Sequence, residues 1–306
     1  MATTAIKSSI GLQQILVATD LSKASDAALH FALDLSRACH AKCYIFHSVS
    51  AMGYTLSGAE VSRLAEDVAN RDLHELEADL TRTGDLADVP HEFIVRQGPV
   101  RPEIEALVRE LHIDLVVLGT HGRTGMGRLV LGSLAEQIFR TVPCPVLTVG
   151  PEAHCEHPPC LRRILFPTDL SDASHVAFAK AVEFANQNDA QLIVLHSVTP
   201  FPVADPGAAW YLGDDLRARC QTSRASVLQR LEKMVASAPK LLHHPEYVVE
   251  FQYPAEAICA AADAYRADLI VMGVKHASAF RAGHMPWATA HEVVCRATCP
   301  VVTVKH

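Results

Sequence analysis

The chain repeats itself, and the repeat restricts its fold more than any other feature. Ile15-Leu16-Val17-Ala18-Thr19-Asp20-Leu21-Ser22 returns as Ile164-Leu165-Phe166-Pro167-Thr168-Asp169-Leu170-Ser171. Phe46-His47-Ser48-Val49 returns as Leu195-His196-Ser197-Val198, and Pro143-Cys144-Pro145-Val146-Leu147-Thr148-Val149 as Thr298-Cys299-Pro300-Val301-Val302-Thr303-Val304. A period near half the chain is far longer than the ~20–50 residues of solenoid units, so the sequence predicts a duplicated domain. Each copy, at roughly 150 residues, can bury its own core. The expected division is an N-terminal domain over 1–152, a linker over 153–160 and a C-terminal domain over 161–306.

Within the first copy the hydrophobic period alternates in type. Gln13 to Thr19 is a short apolar strand, Ser22 to Cys39 carries Ala27, Ala28, Phe31 and Leu35 at helical spacing, and Cys43 to Val49 is again a strand. The same reading gives helices over Ala59 to Arg82, Val100 to Leu111 and Leu131 to Arg140. Further strands fall at His91 to Arg96, Asp114 to Gly119 and Pro145 to Val149. Strands alternating with helices imply an α/β fold with helices on both faces of a parallel sheet. The expected architecture is therefore two tandem doubly wound domains, each with five parallel strands in the order 3-2-1-4-5. Ser22 reads as a helix cap, and Asp26 lies in the first turn, where a carboxylate favours the dipole.

That order places the loops after the first and fourth strands side by side, at the point where the winding reverses and ligands bind. The first loop is Ala18-Thr19-Asp20. The second is Gly119-Thr120-His121-Gly122, followed nine residues on by Gly132-Ser133 at a helix start, with Arg123 and Arg128 between. Glycines let backbone N–H groups approach an anion closely, and the first helical turn leaves donors unpaired at the positive end of its dipole. A phosphate-holding loop is the reading. No Gly-Lys-Ser/Thr closes it, so it is not a Walker-type loop. Asp20 could face a ribose hydroxyl or a metal ion on the phosphates, or cap the helix that follows.

Net charge is −7 and no lysine-arginine run occurs, which argues against a nucleic-acid groove or an anionic membrane surface as the main partner. No apolar run approaches the ~18–20 residues of a spanning helix and the start lacks a leader pattern, so a cytoplasmic protein is expected. Nine cysteines, an odd count spread over both halves, fit reduced thiols better than a disulfide framework. The strands Pro145 to Val149 and Pro300 to Val304 are each the last of their sheet, and such an edge needs a partner. Pairing of the two halves with each other covers both edges and leaves a further homodimer open.

The run Val17-Ala18-Thr19-Asp20-Leu21-Ser22, the spacing Gly119-x2-Gly122-x9-Gly132-Ser133 and the closing Pro143-Cys144-Pro145-Val146-Leu147-Thr148-Val149 resemble the universal stress protein family in its tandem form. The resemblance covers essentially the whole chain, and its glycine spacing is that of members that bind ATP. It implies nucleotide contacts from Thr19 and Asp20, from the backbone around Ser48 and Val49, and from Gly119, His121, Gly122, Arg123, Gly132 and Ser133. ATP, with Mg2+ on its phosphates, is the implied cofactor, and pairing through the last strand the implied assembly.

The second copy departs from this pattern. Gly273-Val274-Lys275-His276 puts histidine at the second glycine, and counting nine residues on places Pro286 and Trp287 at the third glycine and the serine. Proline has no N–H to offer, and tryptophan crowds the phosphate space. This half reads as a structural or ligand-altered copy.

Among seventeen histidines the sharpest cluster is His154-Cys155-Glu156-His157-Pro158-Pro159-Cys160. Cys155, His157 and Cys160 are residue types that zinc accepts; two prolines and the single short cluster suit a plain linker better. His47 and His196 recur at a strand end, which points to a shared structural hydrogen bond before catalysis. There is no G-x-S-x-G elbow and no H-E-x-x-H. Two functions remain: a nucleotide-binding stress or regulatory protein with at most slow ATP hydrolysis, and an adenine-nucleotide enzyme acting on a small ligand held by the C-terminal half.

Overall fold

Alternate residues of a strand face opposite sides of its sheet, and here both sides are apolar. In β1 (Gln14–Ala18) Ile15 and Val17 join one core cluster and Leu16 another, all three fully buried. Such a strand must be covered on both faces, which is what helices packed on either side provide. The structure, a computed structural model, describes residues 11–49, 59–120, 133–150, 153, 161–199, 213–274 and 288–305.

After β1 come α1 (Lys23–Cys39), β2 (Lys42–Val49), α2 (Ala59–Thr83), β3 (His91–Gln97), α3 (Val100–Glu110), β4 (Leu115–Gly119), α4 (Ser133–Thr141) and β5 (Val146–Val149). The second half repeats the series with β6 (Arg163–Pro167), α5 (Asp172–Gln187), β7 (Gln191–Ser197), α6 (Gly213–Ala236) and β8 (Glu246–Glu250), then α7 (Pro254–Tyr265), β9 (Leu269–Val274), α8 (Ala288–Arg296) and β10 (Val301–Lys305). Every element expected in the first half is present, with ends displaced by one or two residues.

The strands form a ten-stranded sheet in the order β3-β2-β1-β4-β5-β10-β9-β6-β7-β8. Each half therefore has the order 3-2-1-4-5 and is parallel throughout. Where the halves meet, β5 and β10 run antiparallel, with Leu147 opposite Val302. Thr148 Oγ1 donates to the Val301 carbonyl at 3.2 Å, and Thr303 Oγ1 donates to the Val146 carbonyl at 3.1 Å. Both threonines are buried.

Two continuous cores follow. One gathers α1, α2, α5 and α6, with Phe31, Leu80, Phe178 and Leu231, against one face; the other gathers α3, α4, α7 and α8, with Ile104, Ile138, Ile258 and Val293, against the opposite face. Each core runs through both halves. Truncating one of the fully buried phenylalanines, such as Phe166, would cost about 3–5 kcal/mol.

A matched pair of carboxylates fixes the strand starts. Asp114 Oδ2 accepts the N–H groups of Gln13 and Gln14, both at 2.9 Å, and Asp268 Oδ2 accepts those of Arg162 and Arg163 at 2.8 and 2.9 Å. Hydrogen bonds to an ionised acceptor are stronger than neutral ones. They tie the beginnings of β1 and β6 to the neighbouring β4 and β9.

Candidate functional site

The loop after β1 and the ends of β2 and β4 converge on a cavity of about 130 Å³, whose lining includes Thr19, Asp20, Ser25, His47, Ser48 and Gly119. Val100, at the first turn of α3, and Leu134 and Ala135, at the first turn of α4, close another side. Two helix N-termini thus open on the same space, with the partial positive charge that their unpaired N–H groups carry. Asp20 is the only carboxylate among the described lining residues.

The loop after β1 is held in one shape by its own side chains. Leu21 has a left-handed backbone, φ 61°, which a leucine adopts only at a cost of about 1–3 kcal/mol. Its N–H donates to Thr19 Oγ1 at 3.0 Å, and Thr19 Oγ1 lies 2.9 Å from Ser25 Oγ. Asp20 Oδ1 accepts from the Ser22 N–H at 3.1 Å and from the Ser22 hydroxyl at 2.5 Å. Ser22 does occupy the position before α1, yet its side chain makes no cap to the helix. The expected serine cap is corrected: the hydroxyl is spent on Asp20, which orients the carboxylate instead.

The end of β2 is fixed to the turn after β3 in the same way. Ser48 Oγ donates to the Gly98 carbonyl at 2.8 Å, and the Gly98 N–H donates to the Val49 carbonyl at 3.0 Å. Gly98 has φ 143°, a backbone conformation in which any side chain is strained; the Glu103 carboxylate 2.9 Å from a Cβ there ends a flexible side chain that could shift aside. His47 Nδ1 contacts the Thr19 carbonyl at 2.9 Å, and His196 Nδ1 contacts that of Thr168 at 2.7 Å. A carbonyl only accepts, so Nδ1 carries the proton and Nε2 of the neutral ring is an acceptor. The shared structural hydrogen bond expected of these histidines is present.

Thr19, Asp20, Ser48 and Gly119 are therefore brought together at one cavity. Val49 is buried with its carbonyl accepting the Gly98 N–H, and it is not among the described lining residues. Ser133 begins α4, whereas His121, Gly122, Arg123 and Gly132 lie outside the described residues, as do Cys155, His157 and Cys160. No group of three or more metal-binding side chains occurs among the described residues. His243 Nε2 instead meets Asp189 Oδ1 at 2.7 Å, and His244 Nδ1 the Pro245 carbonyl at 3.0 Å. Ser25, Phe46, Val100 and Leu134 were missed from the sequence. Ser25 had a signal, because Asp20-x4-Ser25 recurs as Asp169-x4-Ser174.

The C-terminal half carries a matching cavity of about 250 Å³, lined by Thr168, Asp169, His196, Ser197, Gly273 and Thr289 among others. Leu170 repeats the left-handed turn at φ 59°. Because β5 and β10 are antiparallel while each half is parallel, the two cavities, each at the carboxyl ends of its own strands, open at opposite ends of the strands. One expectation needs correction. Gly119 precedes the helix start Ser133 by fourteen positions, whereas Gly273 precedes the helix start Ala288 by fifteen. Counted from the helix, Trp287 takes the place of Gly132 and Ala288 that of Ser133, rather than Pro286 and Trp287. Neither the third glycine nor the serine is kept in either alignment; Pro286, Trp287 and His276 lie outside the described residues.

Cys39, Cys43, Cys144 and Cys259 are free thiols, and burial pushes those of Cys43 and Cys144 up to about 12. They are held as unreactive thiols at neutral pH. No helix among the described residues is long and apolar enough to cross a membrane.

Residues 11–150 and 161–305 each match the universal stress protein family. The chain is similar to a universal stress protein of Mycolicibacterium smegmatis, 26% identical over 295 residues that cover 95% of this chain and 96% of that one. A universal stress protein of Thermus aquaticus is 35% identical over 146 residues, which is 47% of this chain and 98% of that one. The crystal structure of a universal stress protein from Archaeoglobus fulgidus has the same fold, with a TM-score of 0.66 over 96% of both chains at 19% identity.

Proposed function

This chain belongs to the universal stress protein family in its tandem form, and from that premise we propose that its N-terminal half is an adenine-nucleotide-binding regulatory module. The observation that carries the reading is the convergence of Thr19, Asp20, Ser48 and Gly119 on one cavity that two helix N-termini also face. In this reading ATP lies with its adenosine between Asp20 and the backbone around Ser48 and Val49. Its phosphates run toward Gly119 and on to the His121, Gly122, Arg123, Gly132 and Ser133 stretch, where glycine N–H groups and arginine charge favour an anion. Asp20 is the residue to hold Mg2+ or a ribose hydroxyl.

Asp20 is the one carboxylate among the described lining residues, which supports retention of ATP over rapid turnover. Occupancy, read by a partner in the cytoplasm, is then the output. Residues 1–152 and 161–306 act as two domains joined by 153–160, and they pair through β5 and β10 as a dimer folded into one chain.

The test is to denature freshly purified protein and identify the released nucleotide by mass spectrometry, followed by calorimetric titration of stripped protein. Retained ATP with negligible ADP release supports the proposal. A protein that neither carries nor takes up adenine nucleotide removes it, and substrate-stimulated release of ADP or pyrophosphate turns the assignment to an enzyme.

A further inference from the structure

We propose that Lys305, supplied by β10 of the C-terminal half, is a positioning residue for the nucleotide site of the N-terminal half and acts on it along α4. The inference rests on the N-terminal reading above. The first turn of α4, with Leu134 and Ala135, lines the cavity assigned to ATP. Its far end stops at Val142, whose N–H donates to the Ile138 carbonyl at 3.1 Å. Carbonyls at a helix C-terminus have no helical donor to receive. That of Val142 accepts instead from the Lys305 amine at 2.7 Å. A cation there offsets the negative pole of the helix, and the potential at the opposite end becomes more favourable to an anion. The nine residues of α4, at ~1.5 Å each, put that end about 14 Å away, near enough for a unit charge to act through protein.

The repeat supplies a comparison within the chain. Pro145-Val146-Leu147-Thr148-Val149-Gly150 corresponds to Pro300-Val301-Val302-Thr303-Val304-Lys305, so Gly150 holds the place of Lys305, as Ala297 holds that of Val142. Continuing the antiparallel register beyond Val146 and Thr303 sets Lys305 opposite Cys144, and continuing it the other way sets Gly150 opposite Cys299. A Cβ on Gly150 would stand 3.7 Å from the Ala297 carbonyl. In both halves, then, this strand position faces the end of the other half's helix, and only one of the two carries a cation. That cation serves α4, the helix of the half that keeps the spacing Gly119, Gly122, Gly132 and Ser133. In the half that lacks the spacing, α8 receives only a glycine at the matching place.

The charge at this position also titrates within reach of ordinary conditions. The amine is half-buried, and loss of water lowers its pKa to about 8. Two groups oppose that fall, the Cys144 thiol across the strand pair and the Glu105 carboxylate on α3. Glu105 Oε1 is buried, has no hydrogen-bond partner among the described residues, and forms an ion pair with Arg101 at 3.8 Å. On β9 the residue beside Lys305 is the apolar Val274. Below pH 8 the end of α4 therefore carries a full positive charge. Above it the neutral amine can still donate to Val142, and the charge is gone.

The test is calorimetric titration of ATP, and separately of adenosine, into wild type, Lys305→Arg and Lys305→Met at pH 7 and pH 9. Lys305→Met should bind ATP about threefold more weakly than wild type at pH 7 and nearly equally at pH 9. Lys305→Arg, charged at both, should hold the tighter affinity throughout. Adenosine has no phosphate and should bind all three proteins alike, which also shows that the variants fold. A merely structural role would weaken adenosine as much as ATP, and that outcome overturns the inference. So does Lys305→Met that matches wild type toward ATP at pH 7, or a pH dependence that is the same in all three. If wild type binds neither ligand at either pH, the proposed function fails and this inference with it; if wild type binds ATP and the variants do not differ from it, the inference alone falls.

Discussion

His47 and Thr19 are joined by a hydrogen bond of 2.9 Å from the imidazole Nδ1 to the threonine carbonyl, bridging the ends of β2 and β1 at the mouth of the cavity. The bond fixes the ring's tautomer and turns its Nε2 into an acceptor. It also ties the loop that carries Asp20 to the end of β2, which carries Ser48.

The donor at Nδ1 can be tested by substitution. Replacement by leucine leaves the half-buried carbonyl without its donor, and His47→Leu should lower the unfolding free energy by about 1–2 kcal/mol. An asparagine amide can reach the same carbonyl, so His47→Asn should cost less than about half of that. Urea denaturation measures both, and equal losses would show that the hydrogen bond is not what matters at this position.

Nucleotide stoichiometry distinguishes the halves. With the glycine spacing intact only before β5, titration should give about one ATP per chain, and two equivalent sites would contradict the asymmetry. Gly122→Val should block close backbone approach to the phosphates and abolish binding while the far-UV circular dichroism stays unchanged. Unchanged affinity in that variant removes the glycine segment from the site.

Lys305 gives a dependence on pH. Its amine donates to the Val142 carbonyl at 2.7 Å, and burial lowers its pKa to about 8, with Glu105 among the groups pulling it back up. In the unfolded chain a lysine titrates near ~10.4. Below about pH 8 both states hold the proton, and the folded state bears the full cost of a buried charge. Between pH 8 and 10 the unfolded chain holds a proton that the folded chain has shed, so this group makes stability rise with pH. Urea midpoints of wild type relative to Lys305→Met should therefore improve from pH 7.5 to 9.5; a flat difference would remove the shift.

The central strand pair makes a prediction for hydrogen exchange. Amides of Val146, Leu147, Val301 and Val302 sit in the middle of the sheet and should exchange only through global opening. Thr148→Val and Thr303→Val each delete one hydroxyl bonded to the opposite strand's carbonyl and keep the shape, so each should cost ~1 kcal/mol. Fast exchange at these four amides, with slow exchange elsewhere in the sheet, would refute the pairing.

The fold was legible because its signals are redundant. The apolar runs at Ile15 to Ala18 and Leu115 to Leu118 are too short for helices and fit strands covered on both faces, and the repeat supplies each element twice. The site was legible where backbone chemistry sets it, at Thr19, Asp20 and Gly119. Side-chain choice was not: Ser22 has the residue type of a cap, and only three-dimensional placement shows its hydroxyl turned to Asp20. Asp114 and Asp268 gave no signal, since an acidic residue before a strand is ordinary, and their role depends on two N–H groups about a hundred residues away. The extra residue between β9 and α8 was hidden because glycine counting assumes loops of equal length.

The position of β10 bears on how the chain is made. It is synthesised long after β5, and it is the only described strand that lies against the outer edge of β5. On a ribosome working at ~5–20 residues per second, the ~150 residues between them take roughly 8–30 s. During that interval the N-terminal half can fold around its own core, yet it presents Val146 to Val149 as a bare apolar edge able to pair with a neighbouring nascent chain. Synthesis of β10 therefore closes a window of aggregation, and deletion of Val301 to Lys305 should leave two half-finished sheet edges, those of β5 and β9, and an insoluble product.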